Sequence, residues 1–167
     1  MRTIKRFSLK LNDIKHKTLE SLALSYALEK QYWLEKFQLK EYRNFIAQPR
    51  KIRDLVVKDG YTSSYGLQAR MWKLALNDAA ETMDKYYKAL FEKIRPAIYQ
   101  NNKLTDLERH YCFWLMKDYQ RLNCILDGIP LEFKDLPVAS RIHALNFLQR
   151  KIKQIAKRNP QVKLQRS

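Results

Sequence analysis

Residues 64–96, SYGLQARMWKLALNDAAETMDKYYKALFEKIRP, carry one glycine near the start and no proline before the last position. A stretch this long without a breaker has a helix as its natural conformation. Its apolar positions agree. At 100° per residue Trp72, Leu76, Ala79, Met83, Leu90 and Ile94 share a narrow arc, flanked by Tyr86 and Tyr87, and that arc reads as a core face. The opposite face mixes Arg70, Lys85, Lys88 and Arg95 with Asp78, Glu81, Asp84 and Glu92. Glu81–Lys85 and Asp84–Lys88 are acid-first i,i+4 pairs, each worth about 0.2–0.5 kcal/mol. The face is nearly neutral, so the segment reads as scaffold and its aromatics as core.

The rest of the chain follows the same period. With only 3 Gly in 167 residues, a loop-rich or β-rich chain is disfavoured. Thr18 is a candidate N-cap for a helix running to about Ile46. Leu19, Leu22, Tyr26, Trp33 and Phe37 form one stripe on it. Leu24, Leu28, Tyr32 and Leu39 form a second, roughly opposite. A helix apolar on two sides lies between two layers or has one side waiting for a partner. Pro49 ends this segment, and PRKIRDLVVKDG reads as a short helix or loop stopped near Gly60. Thr105 and Glu108 make a T-x-x-E capping box. Leu107, Tyr111, Leu115, Leu122 and Leu126 then keep helical spacing up to a stop at Gly128. A last helix is expected from about Val138 to Arg158, with Ile142, Leu145, Leu148, Ile152 and Ile155 facing the core and Asn159-Pro160 ending it. At the termini the period changes to two. Phe7, Leu9 and Leu11 alternate with Ser8 and Lys10, and Val162 and Leu164 alternate in VKLQRS, so each end reads as a short strand.

The net charge is +16, which points to a polyanionic partner, nucleic acid before an acidic membrane surface. The charge is segregated. Residues 1–17 hold six bases against Asp13 alone. Residues 136–167 hold eight bases and no acid. The span between is close to balanced. The last helix therefore presents His143, Asn146, Arg150, Lys153, Gln154 and Lys157 without an intervening carboxylate, and neutralising phosphates with such a row releases condensed counterions. Lys5, Arg6, Lys10, Arg150, Lys153, Lys157 and Arg158 are the expected phosphate contacts. Tyr61 and Tyr65, beside Gly60 and Gly66, are candidates either for stacking on a base or sugar or for packing a loop.

Chemistry is harder to find. No phosphate-binding glycine loop, dinucleotide fingerprint or H-E-x-x-H motif occurs. Cys112 and Cys124 form no C-x-x-C pair or Cys/His cluster, so neither zinc nor redox chemistry is expected, and two free thiols suit a reducing cytoplasm. His110, among aromatics, reads as structural. The pairs Asp106/Glu108 and Asp78/Glu81 are better explained by helix-start electrostatics and surface ion pairs than by catalysis. No catalytic residue, metal, cofactor or small-molecule substrate is expected. No apolar run reaches the 18 residues of a membrane span, and the basic start MRTIKRFSLKLN lacks the apolar core of a signal peptide.

The layout also resembles a known family. The basic strand MRTIKRFSLKLN leads into a helical insertion, and GLQARMWKLALNDAAETMDKYYKALFEKIR is similar to a segment of transposon-encoded TnpB proteins, with an L-x-x-R/Q opening, an AL-x-DA centre and then aromatics and lysines. NPQVKLQRS is similar to the strand that re-enters their N-terminal β domain. These proteins are RNA-guided DNA endonucleases related to the type V CRISPR effectors. The resemblance implies a basic wedge-like strand at 1–12, a helical recognition-like domain at 18–158 and the start of a returning wedge-like strand at 161–167. It implies RNA and DNA as partners, read through heteroduplex backbone and shape. The family's catalytic carboxylates lie in a nuclease domain downstream, with a zinc-ribbon insertion, so the chain corresponds to the N-terminal portion and no catalytic residue carries over. The expected fold is mainly α: a bundle of about four long helices with a small β element formed by the two terminal strands. A stand-alone basic helical DNA-binding or regulatory protein is the alternative. A membrane-surface module is a third reading, for which Phe147 is the only bulky aromatic on the last helix.

Overall fold

A computed structural model describes residues 12–157. Among these residues every regular element is a helix: α1 (Asp13–Gln38), α2 (Lys40–Arg43), α3 (Pro49–Lys58), α4 (Ala69–Tyr99), α5 (Asp106–Leu115), α6 (Tyr119–Asp127) and α7 (Val138–Lys157). The mainly helical expectation holds. Residues 161–167, and all of 1–12 except Asn12, lie outside the described residues, and so do both expected strands.

The central element is α4, 31 residues and so roughly 45 Å long. Trp72, Leu76, Ala79, Met83, Leu90 and Ile94 are buried along it, as the sequence arc requires, together with Ala75, Ala80, Tyr87 and Ile98. It touches α1, α3, α5 and α7. It starts at Ala69, not Ser64, because Gly66 takes a left-handed φ of 74° just before it. It also runs one turn past Pro96. Pro96 and Glu92, whose carbonyl it cannot bond, are both exposed residues, where such a gap is tolerated.

α1 runs antiparallel to α4. The Tyr26 hydroxyl donates to Asp78 at 2.6 Å, while Trp33, seven residues later, shares an aromatic cluster with Tyr61 and Trp72. Its cap is Asn12, whose side chain accepts the Lys15 N–H at 2.9 Å. The expected cap, Thr18, lies inside the helix and bonds back to the Ile14 carbonyl. Only the C-terminal parts of the two apolar stripes find cover. Trp33 and Phe37 are buried, whereas Leu19, Leu22, Leu24 and Leu28 are exposed. The helix also stops earlier than the periodicity indicated. Leu39 leaves helical geometry with ψ 144°, and α2 departs in a new direction. The buried Arg43 guanidinium explains the break, since it donates both to the Gln38 carbonyl at the end of α1 and to Asn123 of α6.

The single helix expected between Thr105 and Gly128 is two. The capping box is present, with Thr105 Oγ1 accepting the Glu108 N–H at 3.2 Å and Glu108 Oε2 accepting the Thr105 N–H at 2.8 Å. After Leu115 the chain turns, and Asp118 caps α6 by accepting the Gln120 N–H at 2.8 Å. Arg121 fastens the corner, donating to the Trp114 carbonyl at 3.0 Å with its guanidinium 4.0 Å from the Trp114 ring centre. The stop at Gly128 is as expected: φ is 76°, and the Gly128 and Ile129 N–H groups bond the Ile125 and Cys124 carbonyls as a Schellman turn does.

Candidate nucleic-acid interface

On α7 an apolar side and a cationic side are cleanly divided. Ala144, Leu145, Phe147, Leu148 and Ile152 are buried against α4, α5 and α6. Ile142, expected in the core, is 42 % exposed, as is Val138 at the start of α7 at 54 %. His143, Asn146, Arg150, Lys153 and Gln154 face outward. Lys157 closes the helix, its side chain outside the described set. Lys5, Arg6, Lys10 and Arg158 also lie outside the described residues. The structure therefore places two of the seven expected phosphate contacts, Arg150 and Lys153, one turn apart on one exposed face.

What distinguishes this helix is that its sequence contains no acid. On α4 four acids lie among six bases, and three of the bases are paired: Lys85–Glu81 at 2.6 Å, Lys88–Asp84 at 2.7 Å and Arg95–Glu92 at 3.2 Å. Among the described residues Arg150, Lys151 and Lys153 make no ion pair. Arg150 spends only Nε, in a 3.4 Å bond to the Asn146 carbonyl. Lys151 holds its ammonium 5.8 Å from the Phe147 ring centre. Three long basic side chains with unspent donors, on a helix without an acid, form the kind of surface that a phosphate chain neutralises.

Beside that face is a cleft of about 410 Å³ between the C-terminal end of α4 and α7. Gln100 and Asn101 line one wall, and Phe147, Arg150, Lys151 and Gln154 the other; no carboxylate lines it. The sequence placed Arg150 and Gln154 on the exposed arc but missed Lys151, Gln100 and Asn101. The Lys151–Phe147 i,i+4 spacing was a local signal for Lys151. Nothing local could have brought in the end of α4.

The remaining candidates resolve structurally. Tyr61 is a core-packing residue, not an exposed stacking platform. Its ring lies 5.0 Å from Trp72 and 5.2 Å from Trp33, and its hydroxyl donates to Glu29 at 2.7 Å. Tyr65 stays partly open. His110 is exposed and rests against Phe133. Asp106 pairs with Arg109, Asp78 accepts from Tyr26, and Glu81 pairs with Lys85. Phe147 is buried, so the outward side of α7 offers no bulky aromatic to a lipid surface. Among the described residues no helix is long and apolar enough to cross a membrane, and no three His, Cys, Asp or Glu side chains converge as metal ligands do. Burial pushes the Cys112 thiol up to about 12, which makes it a poor nucleophile.

His143 has a structural task. Its Nδ1 lies 3.1 Å from Oε1 of Glu108, which joins the start of α5 to α7. Burial alone would raise the Glu108 carboxyl. The Thr105 backbone N–H, the His143 ring and the Thr105 hydroxyl outweigh it and hold the carboxyl below its usual range. A folded-state pKa below the unfolded value means stability that is fully present above the ordinary carboxylate range and is lost as pH falls through the folded pKa. Glu108→Gln keeps a capping side chain but removes the titrating group. The acid limb of its stability-against-pH curve, measured by urea unfolding between pH 7 and pH 3, is expected to be shallower than that of the parent; equal slopes would refute the assignment.

No family model matches the chain, and no curated protein or solved structure matches it either.

Proposed function

We propose that the chain is a cytoplasmic nucleic-acid-binding module that grips guide RNA and RNA–DNA heteroduplex through their phosphate backbones. It acts as the N-terminal recognition and wedge portion of a TnpB-like, transposon-associated RNA-guided nuclease, and the cleaving carboxylates belong to a nuclease domain outside it. The observation that carries the binding part is the acid-free cationic face of α7, set against a scaffold helix on which four acids lie among the bases and pair three of them. The sequence resemblance carries the family part, and the run from 136 to 167 contains eight bases and no acid.

The full chain, titrated across salt with structured RNA, duplex DNA and anionic vesicles, tests this. Structured RNA is expected to bind most tightly, with a steep salt dependence. Reversing Arg150, Lys153 and Lys157 to glutamate is expected to cut RNA affinity about 100-fold and to lower the salt slope by about 2–3. Unchanged affinity would overturn the proposal. Sequence-specific duplex binding without an RNA preference would favour a stand-alone DNA-binding or regulatory protein. Preference for vesicles would favour a membrane-surface module.

A further inference from the structure

The face of α7 explains affinity for a phosphate chain but not the composition of the cleft beside it. A site for phosphate alone needs donors. This cleft also carries amides, which donate and accept. Asn101 Oδ1 accepts the Lys103 N–H at 3.0 Å, and its NH₂ has no hydrogen-bond partner among the described residues. The side chains of Gln100 and Gln154 have no hydrogen-bond partner among the described residues, and both are exposed. Arg150 retains both terminal NH₂ groups and Lys151 its ammonium. The cleft thus combines two cations with three side-chain amides. At about 410 Å³ it is far larger than one phosphate and falls in the range of about 300–1,000 Å³ typical of small organic ligands.

We propose that the cleft holds a single unpaired nucleotide of a bound RNA strand, with its phosphate on Arg150 and Lys151 and its base edge read by Gln100, Asn101 and Gln154. This rests on the polyanion-binding reading of α7 and adds base selectivity to it. The chemistry fits. Single-stranded RNA is read by hydrogen bonds to splayed bases, and an amide, which both donates and accepts, matches a base edge in a way that a cation does not. The α7 face holds the backbone to either side, and the cleft samples one base. Phe147, which lines the cleft, is buried and offers no open ring face for stacking.

The test uses the full chain and 8-nucleotide RNA probes, oligo(U), oligo(C) and oligo(A), measured by fluorescence anisotropy at two salt concentrations. The wild type is expected to prefer one of the three by about 5-fold or more. The double variant Gln100→Ala/Gln154→Ala removes two exposed side chains without partners, so its thermal midpoint is expected to be unchanged. It is expected to bind all three probes alike, with the wild-type salt slope. Equal binding of the three probes by the wild type, or a preference that survives in the variant, would overturn the nucleotide site while leaving the backbone reading intact. Loss of all RNA binding by the wild type would overturn both. A free mononucleotide that competes as well as the 8-mer would assign the cleft to a soluble nucleotide and overturn the strand reading.

Discussion

Glu29→Ala is expected to lower the unfolding free energy by about 3–5 kcal/mol, among the largest single-residue effects in the molecule. Glu29 has no solvent exposure. Its carboxylate accepts three bonds, from Trp33 Nε1 at 2.7 Å, the Tyr61 hydroxyl at 2.7 Å and the Ser63 hydroxyl at 2.5 Å. These tie α1 to the segment that leads from α3 into α4. Burial, reinforced by the bond to Glu29, pushes the Tyr61 phenol up, so it remains a neutral donor at any working pH. Truncation to alanine leaves one buried and two half-buried donors without their acceptor and opens space beside Trp33 and Tyr61. Glu29→Gln keeps the shape and one acceptor oxygen, and is expected to cost roughly 1–2 kcal/mol. Urea unfolding followed by circular dichroism at pH 7 measures both variants. An alanine variant within 1 kcal/mol of the parent would show that the three donors find water instead, and that the carboxylate does not organise the junction.

Arg43 is expected to respond differently to truncation and to replacement. Its side chain is buried and donates to Asn123 and to the Gln38 carbonyl, with no carboxylate paired to it among the described residues. Burial raises the neighbouring Tyr87 phenol, and the Arg43 guanidinium pulls the other way, so the cation is felt inside the core. Arg43→Ala is expected to cost about 3–5 kcal/mol, because it leaves a cavity and orphans the Asn123 oxygen and the end of α1. Arg43→Met fills most of the volume and removes a charge whose desolvation two hydrogen bonds to neutral acceptors offset only in part. It is expected to cost less than half as much, and a neutral outcome is in keeping with the chemistry of buried charges. For a chain of this length 1 kcal/mol corresponds to roughly 2–4 °C in the melting midpoint, so the two variants separate clearly in a thermal scan. A methionine variant as unstable as alanine would show that the hydrogen bonds, and not volume and desolvation, govern the site.

The two buried charges also show where local reading stops. The stripe on α4 was legible because each of its residues is fixed by the helical period alone, and all six residues assigned to it are buried. The Thr105–Glu108 box and the Gly128 stop were legible because a cap acts within one turn of its own helix. The break at Leu39 was not. It is set by Arg43 reaching Asn123, 80 positions later in the chain. Likewise Tyr61, beside a glycine in an irregular stretch, looks like a platform for a base until Glu29, 32 positions earlier, takes its hydroxyl. Asp118 was a readable cap, but unbroken apolar spacing from Leu107 to Leu126 hid the corner it makes.

The same division runs through the candidate interface. An acid-free run of bases on one helix face is a property of composition and period, so Arg150 and Lys153 could be named from residues alone. That Lys85 and Lys88 of α4 are matched by acids also follows from i,i+4 spacing. The cleft is a different kind of object. Gln100 and Asn101 join Arg150, Lys151 and Gln154 only because the buried faces of α4 and α7 pack together, and that packing is chosen by the fit of side chains such as Ile98, Phe147 and Leu148. By itself the chain determined which segments are helical, which face of each central helix turns inward and where positive charge accumulates, since those follow from interactions reaching no further than one turn. Where helices bend, which polar groups are enclosed and which side chains meet across a groove were decided only by tertiary structure, because they depend on contacts between elements tens of residues apart.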